Sequence, residues 1–212
     1  MAATSGSGTG TLLLADISGY TAFLQAVAEA HAEDLRAGRF VPEAYPLLTS
    51  LLDGVVDRIA PPFEVSEVEG DAVFAFAAEG SLALRGPSVI AFLAGCYQAY
   101  RARLQKAMDV MPCACDACSS IGGLELKFVV HRGTYIVQSI AGRQSLLGPD
   151  VTVAHLLLKN HVRDLIGRVA YALLTESAVT HLEVPVDHAL AITEEYEHFP
   201  AIRGYVIPFP PN

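Results

Sequence analysis

The chain has 212 residues, of which 52% are hydrophobic and 17% charged, and its formal net charge is −9. This composition is typical of a folded domain with a sizeable core and excludes a wholly disordered chain. The acidic balance argues against binding to nucleic-acid phosphates, which needs clustered Lys and Arg, and no apolar run reaches the ~18 residues of a membrane-spanning helix. Residues 1–10 lack the basic start and apolar stretch of a secretory signal, so we expect a disordered lead-in and a cytoplasmic protein.

The predicted elements mix strands and helices within a single domain over residues 11–212. In chain order we expect a strand at 11–17, helices at 21–36 and 42–59, a hairpin at 63–78, a helix at 87–108, a second hairpin at 124–141 broken at Gly133, a helix at 149–165, and then a strand, a short helix and a last strand. Because the helices are split around hairpins, this order predicts an α+β sheet of the split βαβ type and not a doubly wound parallel sheet.

Two aspartates stand where an apolar strand meets a glycine turn. Asp16 lies in D-I-S-G-Y and Asp71 in E-G-D-A-V. Burying an uncompensated carboxylate costs several kcal/mol. Two such acids at neighbouring strand ends therefore predict a cradle for Mg²⁺ or Mn²⁺, ions that share their coordination with substrate phosphates. The alternative is that Asp16 caps the following helix and Asp71 stabilises a turn.

Four sequence blocks carry a family resemblance in a fixed order. They are LLLADISGYTAFL, EVEGDAVFAF, FVVHRGTYIVQSIAG and LLGPDVTVAHLLLKN, and together they lie within residues 11–165. In this order they resemble the catalytic domain of class III nucleotidyl cyclases, the adenylate and guanylate cyclases. The wording A-D-I-S-G-Y-T and E-G-D-A-V-F resembles an uncharacterised bacterial branch of that superfamily, the domain of unknown function 2652.

The resemblance implies a fold, an assembly and a reaction. The fold is a ferredoxin-like βαββαβ core with extra C-terminal α/β elements, and the assembly is a head-to-tail homodimer with its active sites at the interface. The cation is held by Asp16, Asp71 and the backbone carbonyl of Ile17. The reaction is attack of the ribose 3′-hydroxyl on the α-phosphate of a nucleoside triphosphate, which gives a cyclic 3′,5′-monophosphate and pyrophosphate.

Other positions of the family pattern are not kept. Glu67 stands where such cyclases have a base-reading Lys, and Ser145 stands at the second base-reading position. Thr152 replaces the transition-state Asn and Leu156 replaces the Arg, and a leucine cannot stabilise charge on a phosphoryl group. We therefore expect a catalytically degenerate module that binds a metal, a nucleotide or a partner. The alternative is an active noncanonical cyclase.

Two basic residues are candidate substitutes for the missing arginine. On a continuous helix from residue 149, Thr152, His155, Lys159 and Arg163 form one polar stripe. Lys159 or Arg163 would then reach a phosphate group. The alternative is that the stripe is a solvated helix face.

Three cysteines crowd into the segment 109–123, which we interpret as an insertion. Thiolates select zinc or iron–sulfur clusters, and tetrahedral zinc needs four ligands. Cys113, Cys115 and Cys118 supply three, and the fourth candidates are Cys96, His131 or a residue of a partner chain. The alternative is three reduced cysteines in a loop.

The remaining signals are weaker. We interpret His131 as a packed core imidazole, and the other histidines, His31 among them, show no H-x-x-x-H spacing. The segment D-I-S-G-Y-T resembles the D-x-D-G-T pattern of HAD-like phosphatases, but Ser18 replaces the second aspartate and the predicted hairpins argue against the parallel sheet of that fold. A structural or regulatory protein organised by thiolate-bound zinc is a further hypothesis.

Overall fold

A computed structural model describes residues 6–140, 142–167 and 170–210. The strands are β1 (Gly6–Ser18), β2 (Glu64–Glu69), β3 (Ala72–Ala78), β4 (Glu125–Ile140), β5 (Arg143–Leu147), β6 (Tyr171–Thr175), β7 (Leu190–Glu194) and β8 (Ile202–Pro208). The helices are α1 (Tyr20–Ala30), α2 (Ala32–Arg36), α3 (Ala44–Ile59), α4 (Pro87–Val110), α5 (Asp116–Ser119), α6 (Pro149–Leu156), α7 (Val162–Ile166) and α8 (Glu176–Leu182). Short 3₁₀ turns follow α5 at Ser120–Gly123 and α6 at Leu157–Lys159.

The strands of this part of the chain form one mixed sheet in the order β2-β3-β1-β4-β6-β8-β7. All neighbours are antiparallel except β4 and β6, which run parallel. The far half of β4 also pairs with β5 in a hairpin. The predicted α+β architecture, with helices split around hairpins, is confirmed.

Helices cover both faces of the sheet because strand side chains alternate between the faces. On β1, Leu13, Ala15 and Ile17 pack in the core that includes α3 and α4. Leu12 and Leu14 belong to a second core on the opposite face, which includes α6. Asp16 follows in the same alternation as Leu12 and Leu14, so it lies at the strand end on the α6 side of the sheet. No helix within the described residues is both long and apolar enough to cross a bilayer.

The sheet begins earlier than predicted. β1 starts at Gly6 and not at residue 11, so residues 6–10 are not a disordered lead-in, while residues 1–5 of that prediction lie outside the described part. Close approach explains the glycines: a Cβ at Gly8 would lie 2.8 Å from the Tyr135 ring, and one at Gly10 would collide with the backbone carbonyl of Ala77. Gly8 and Gly10 are therefore required by the packing of β1 against its neighbours.

The second hairpin also differs from its prediction. β4 continues through Gly133 without a break, and its hairpin partner is β5. A Cβ at Gly133 would collide with the Asp150 side chain. The glycine therefore admits a helix residue against the strand and does not end the strand.

Two further elements differ from the prediction, a helix that is divided and a strand that was missed. The helix expected at 149–165 ends at Leu156 and resumes only at Val162, so it is two helices. β7, a short edge strand paired with β8, was not predicted. At the other edge, β2 carries a bulge between Val65 and Glu67.

Candidate functional site

The sheet brings the two predicted aspartates to one pocket. β1 ends beside the turn between β2 and β3, where Asp16 pairs in register with Ala72 and the backbone N–H of Ile17 donates to the Asp71 carbonyl at 3.1 Å. Asp16, Ile17 and Asp71 all line a cavity of about 510 Å³. Asp16 does not cap α1, whose N-cap is Gly19 with no side-chain cap bond. Asp71 also bonds its own backbone, as a turn aspartate does.

The pocket holds opposed charges at short range. Lys127, on β4 directly beside Asp16, places Nζ 3.1 Å from Asp16 Oδ2 and donates to the Leu158 carbonyl at 3.0 Å. Both members of this ion pair are mostly buried, with side chains 15% and 14% exposed. Burial and then the negative charge of Asp16 raise the pKa of Asp71 above its ordinary value. The negative charges of Asp16 and Asp71 therefore act on each other, and the single positive charge of Lys127 compensates them only in part.

Arg163 lies in the wall of the same pocket, together with Asn160 and Tyr171. Asn160 Oδ1 accepts from the Tyr171 hydroxyl and from the Val162 backbone N–H, each at 2.9 Å. This amide fixes the start of α7 against β6 and so sets where Arg163 lies. Sequence analysis did not single out Asn160 or Lys127 as site residues, although Asn160 ends the block LLGPDVTVAHLLLKN.

A neighbouring cavity of about 480 Å³ is lined by the other members of the predicted stripe. Thr152, His155 and Lys159 line it, along with Leu156, Asp16 and Lys127. The stripe is not one helix face, because the chain passes through a 3₁₀ turn at Leu157–Lys159 before α7 begins. The prediction of a continuous helix was wrong. The residues of the predicted stripe nevertheless line the two cavities that both include the Asp16–Lys127 ion pair.

Glu67 and Ser145, the two positions that the resemblance assigns to base reading, contact each other. Ser145 Oγ donates to Glu67 Oε1 at 2.6 Å, which joins β2 to β5. A hydrogen bond with Glu67, followed by burial, raises the pKa of the adjacent Glu69. This end of the sheet is therefore acidic and internally bonded.

His131 is a buried residue on β4, as predicted, with 7% of its surface exposed. Its Nδ1 lies 2.9 Å from Thr175 Oγ1 and its Nε2 lies 3.5 Å from Asp150 Oδ1. Burial lowers its pKa, which favours a neutral ring. Asp150 Oδ2 accepts from the backbone N–H of Thr134 at 2.6 Å and from its hydroxyl at 2.9 Å, so it connects α6 to β4.

The three clustered cysteines surround a histidine from a distant part of the chain. The sulfur atoms of Cys113, Cys115 and Cys118 lie 3.7, 3.5 and 3.4 Å from Nε2 of His31, which stands between α1 and α2. Two of the predicted candidates for a fourth ligand, Cys96 and His131, lie elsewhere. The Cys96 thiol instead lies 3.9 Å from a backbone carbonyl, that of Arg58, and His131 belongs to the Thr175–Asp150 group described above. No spacing in the sequence marks His31.

Comparisons with known proteins agree with this fold. The family described as a protein of unknown function, DUF2652, matches residues 48–165. An uncharacterised protein of Mycobacterium tuberculosis is 31% identical over 119 residues, which are 54% of this chain and 52% of that protein, so the match spans about half of the relative's length.

Solved cyclase structures share the architecture over nearly the whole chain. The guanylyl cyclase Cya2 gives a TM-score of 0.68 at 13% identity, covering 99% of this chain and 96% of that one. The adenylyl cyclase CyaB from P. aeruginosa gives 0.66 at 14% identity, covering 96% of each chain. A bacterial light-regulated adenylyl cyclase gives 0.64 at 15% identity, covering 95% of this chain and 51% of that one.

Proposed function

The chain belongs to the DUF2652 family, and we propose that it is a cyclase-fold module that binds a nucleoside triphosphate through Mg²⁺ or Mn²⁺ without cyclising it. One observation carries the proposal: Asp16 and Asp71 share a pocket with Lys127 and Arg163, while the positions for base reading and transition-state stabilisation hold residues of the wrong chemistry.

The donor set fits a hard divalent cation. Asp16, Asp71 and the carbonyl of Ile17 offer oxygen atoms, the ligands that Mg²⁺ and Mn²⁺ prefer. Burial, and after it the negative charge of Asp16, raises the pKa of Asp71, and a divalent ion would supply positive charge that favours the ionised carboxylate. When bound, such an ion would neutralise phosphate charge and fix the orientation of the triphosphate.

Basic side chains around the acids fit a polyphosphate. Lys127 and Arg163 line the pocket, and Lys159 lines the adjoining cavity with Lys127. An arginine suits bidentate contact with phosphate oxygens, whereas a lysine acts as a point charge. The proposed role of these residues is to bind and orient the phosphate chain.

The missing half of the catalytic pattern argues against cyclisation. Glu67 is bonded to Ser145 and offers a carboxylate where a base-reading lysine is expected. Leu156 has no donor for a developing phosphoryl charge, an interaction whose loss typically costs orders of magnitude in rate. Substrate recognition and rate acceleration would both suffer.

The proposal includes a homodimer. The β4–β5 hairpin exposes three large apolar side chains, Ile136, Ile140 and Leu147, to between 40% and 51%, and Ile136 and Leu147 are cross-strand partners. Contiguous exposed apolar surface marks protein interfaces. We expect Ile136→Ser to shift the protein toward monomer in analytical ultracentrifugation, and an unshifted or purely monomeric wild type would contradict this part.

Binding of a nonhydrolysable triphosphate analogue with Mn²⁺ tests the module directly. Calorimetry is expected to give binding that depends on the cation, and Asp71→Asn is expected to weaken it at least about tenfold, equivalent to ~1.4 kcal/mol. Asp53→Asn, an exposed carboxylate on α3, is the matched control and is expected to bind like wild type. Absence of cation-dependent binding in the wild type overturns the proposal.

A second candidate is an active noncanonical cyclase, favoured by the presence of Arg163 in the pocket wall. Incubation of the wild type with each of the four ribonucleoside triphosphates and Mn²⁺ separates the two. Cyclic product that disappears in Arg163→Ala would establish the second candidate and refute the first. Binding without product is the outcome that the degenerate module predicts.

A further inference from the structure

The strongest feature outside the pocket is the group of four soft ligand atoms contributed by His31, Cys113, Cys115 and Cys118. One ligand atom from each residue lies within 4.8 Å of all the others. The cysteines are not joined in disulfides. Cys118 is fully buried, and its backbone N–H donates to Cys115 Sγ at 3.4 Å.

The separations match a single tetrahedral ion. An ion bonded at about 2.3 Å to sulfur and about 2.0 Å to nitrogen sets these two atoms about 3.5 Å apart at a tetrahedral angle. The three measured N···S distances, 3.4, 3.5 and 3.7 Å, bracket that value. An iron–sulfur cluster places several metal atoms between its ligands and needs a wider cage.

We propose that His31, Cys113, Cys115 and Cys118 form a structural Cys₃His zinc site. The set is closed, since three thiolates and one imidazole fill the tetrahedral positions and leave none for a substrate. All four ligands come from one chain, so the ion binds without help from a second subunit. Thiolate–imidazole sets select zinc over Mg²⁺ or Mn²⁺, which separates this site chemically from the carboxylate pocket.

The ion would connect two segments that are far apart in sequence. His31 follows the last residue of α1, and the cysteines lie between α4 and β4, 82 residues or more further on. The first turn of α1, Tyr20–Ala22, and Gly123, just after the cysteines, both line the Asp16–Asp71 pocket. The zinc would therefore link the far end of α1, about 16 Å from the first turn of that helix, to the segment that leads to Gly123.

Metal analysis of the full chain, purified under reducing conditions with zinc in the growth medium, is the first test. We expect about one zinc per chain, bound at any protein concentration. X-ray absorption at the zinc edge of the wild type should give three sulfur ligands near about 2.3 Å and one nitrogen near about 2.0 Å. Protein that holds no zinc, or holds iron at these thiolates, overturns the proposal, and this measurement needs no variant to fold.

Variants then test the ligand assignment. His31→Ala and Cys118→Ser are expected to lose most of the zinc, whereas His188→Ala, an exposed histidine, should keep it. The charge-transfer absorption of Co²⁺ bound to thiolates should appear in the wild type and weaken in Cys115→Ser. Zinc that remains stoichiometric in His31→Ala removes His31 from the site and refutes the Cys₃His assignment.

The test for zinc and the test for nucleotide binding can fail independently of each other. Asp71→Asn is expected to keep its zinc while losing cation-dependent nucleotide binding, because the two ligand sets share no residue. Zinc without nucleotide binding in the wild type would refute the module alone, and nucleotide binding without zinc would refute the metal site alone.

Discussion

Asp150→Ala tests the connection between α6 and β4. Asp150 accepts two hydrogen bonds from Thr134, at 2.6 and 2.9 Å, and its other oxygen lies 3.5 Å from Nε2 of the buried His131. Gly133 leaves the room that this side chain occupies. Truncation removes all three interactions at once and leaves the helix to pack on the strand through apolar contacts.

The expected loss is about 2 kcal/mol. A hydrogen bond to a charged group contributes roughly 1.5–3 kcal/mol. The total is set below the sum of two because the Asp150 side chain is 35% exposed and water replaces part of the lost bonding at Thr134. For a chain of this size the midpoint of thermal unfolding should fall by about 4–8 °C. Asp164→Ala is the matched control, an acid in the first turn of α7, where about 0.3–1 kcal/mol of helix-dipole stabilisation is at stake.

The stabilisation that Asp150 provides is expected to decrease at acidic pH. Although burial raises it, the hydrogen bonds from Thr134 dominate together and hold the pKa of Asp150 below its ordinary 3.8. Its contribution is therefore complete above that value and lost as the pH falls through the lowered pKa. Chemical denaturation of both variants at neutral pH and again toward about pH 3 is the assay. An Asp150→Ala loss no larger than that of Asp164→Ala, or one that grows on acidification, would refute the reasoning.

Two further predictions concern packing and pH. Gly10→Ala would drive a Cβ into the Ala77 carbonyl, and the free energy of unfolding measured in urea should fall by about 1–3 kcal/mol. The control Gly6→Ala meets nothing within 4 Å and should stay within about 0.5 kcal/mol of wild type. Equal losses of stability in the two variants would contradict the packing argument. His161 Nδ1 lies 2.8 Å from the buried Glu194, whose hydrogen bond raises the His161 pKa above 6.5. The stabilisation from this pair is complete below pH 6.5 and is lost as the pH rises through the raised pKa. The difference in free energy of unfolding between wild type and His161→Asn should therefore shrink from about pH 6 to about pH 9. A difference that stays constant with pH would exclude the interaction.

Local patterning was enough to predict much of the sheet and the position of the carboxylates. Alternation and glycine turns identify the β2–β3 hairpin and set Asp16 and Asp71 at strand ends, because these signals depend on neighbours in sequence. β7 was missed because the buried Glu194 occupies a core position of the strand, where a hydrophobic residue is expected. Its carboxylate is satisfied by His161, a partner that no local pattern reveals.

Tertiary contacts decided the rest. Gly133 was predicted to break a hairpin and Gly10 to belong to a disordered lead-in, yet each glycine leaves room for an atom of a distant segment. Asn160 interrupts the predicted helix because its amide oxygen binds both Val162 and Tyr171. His31 joins the cysteines across more than eighty residues of chain, and an isolated histidine at a helix end carries no sequence signal for that role.

The outermost strand bears on how this protein behaves when concentrated. β2 ends the sheet, carries Glu64, Glu67 and Glu69, and is bent by its bulge. An unsatisfied strand edge is a template on which another molecule can add a strand and begin a fibre. If two such edges came together, their glutamate carboxylates would repel each other, and the bulge would disturb the register of the backbone hydrogen bonds between them. At neutral pH we therefore expect the carboxylates of this edge to disfavour the addition of a strand from another molecule.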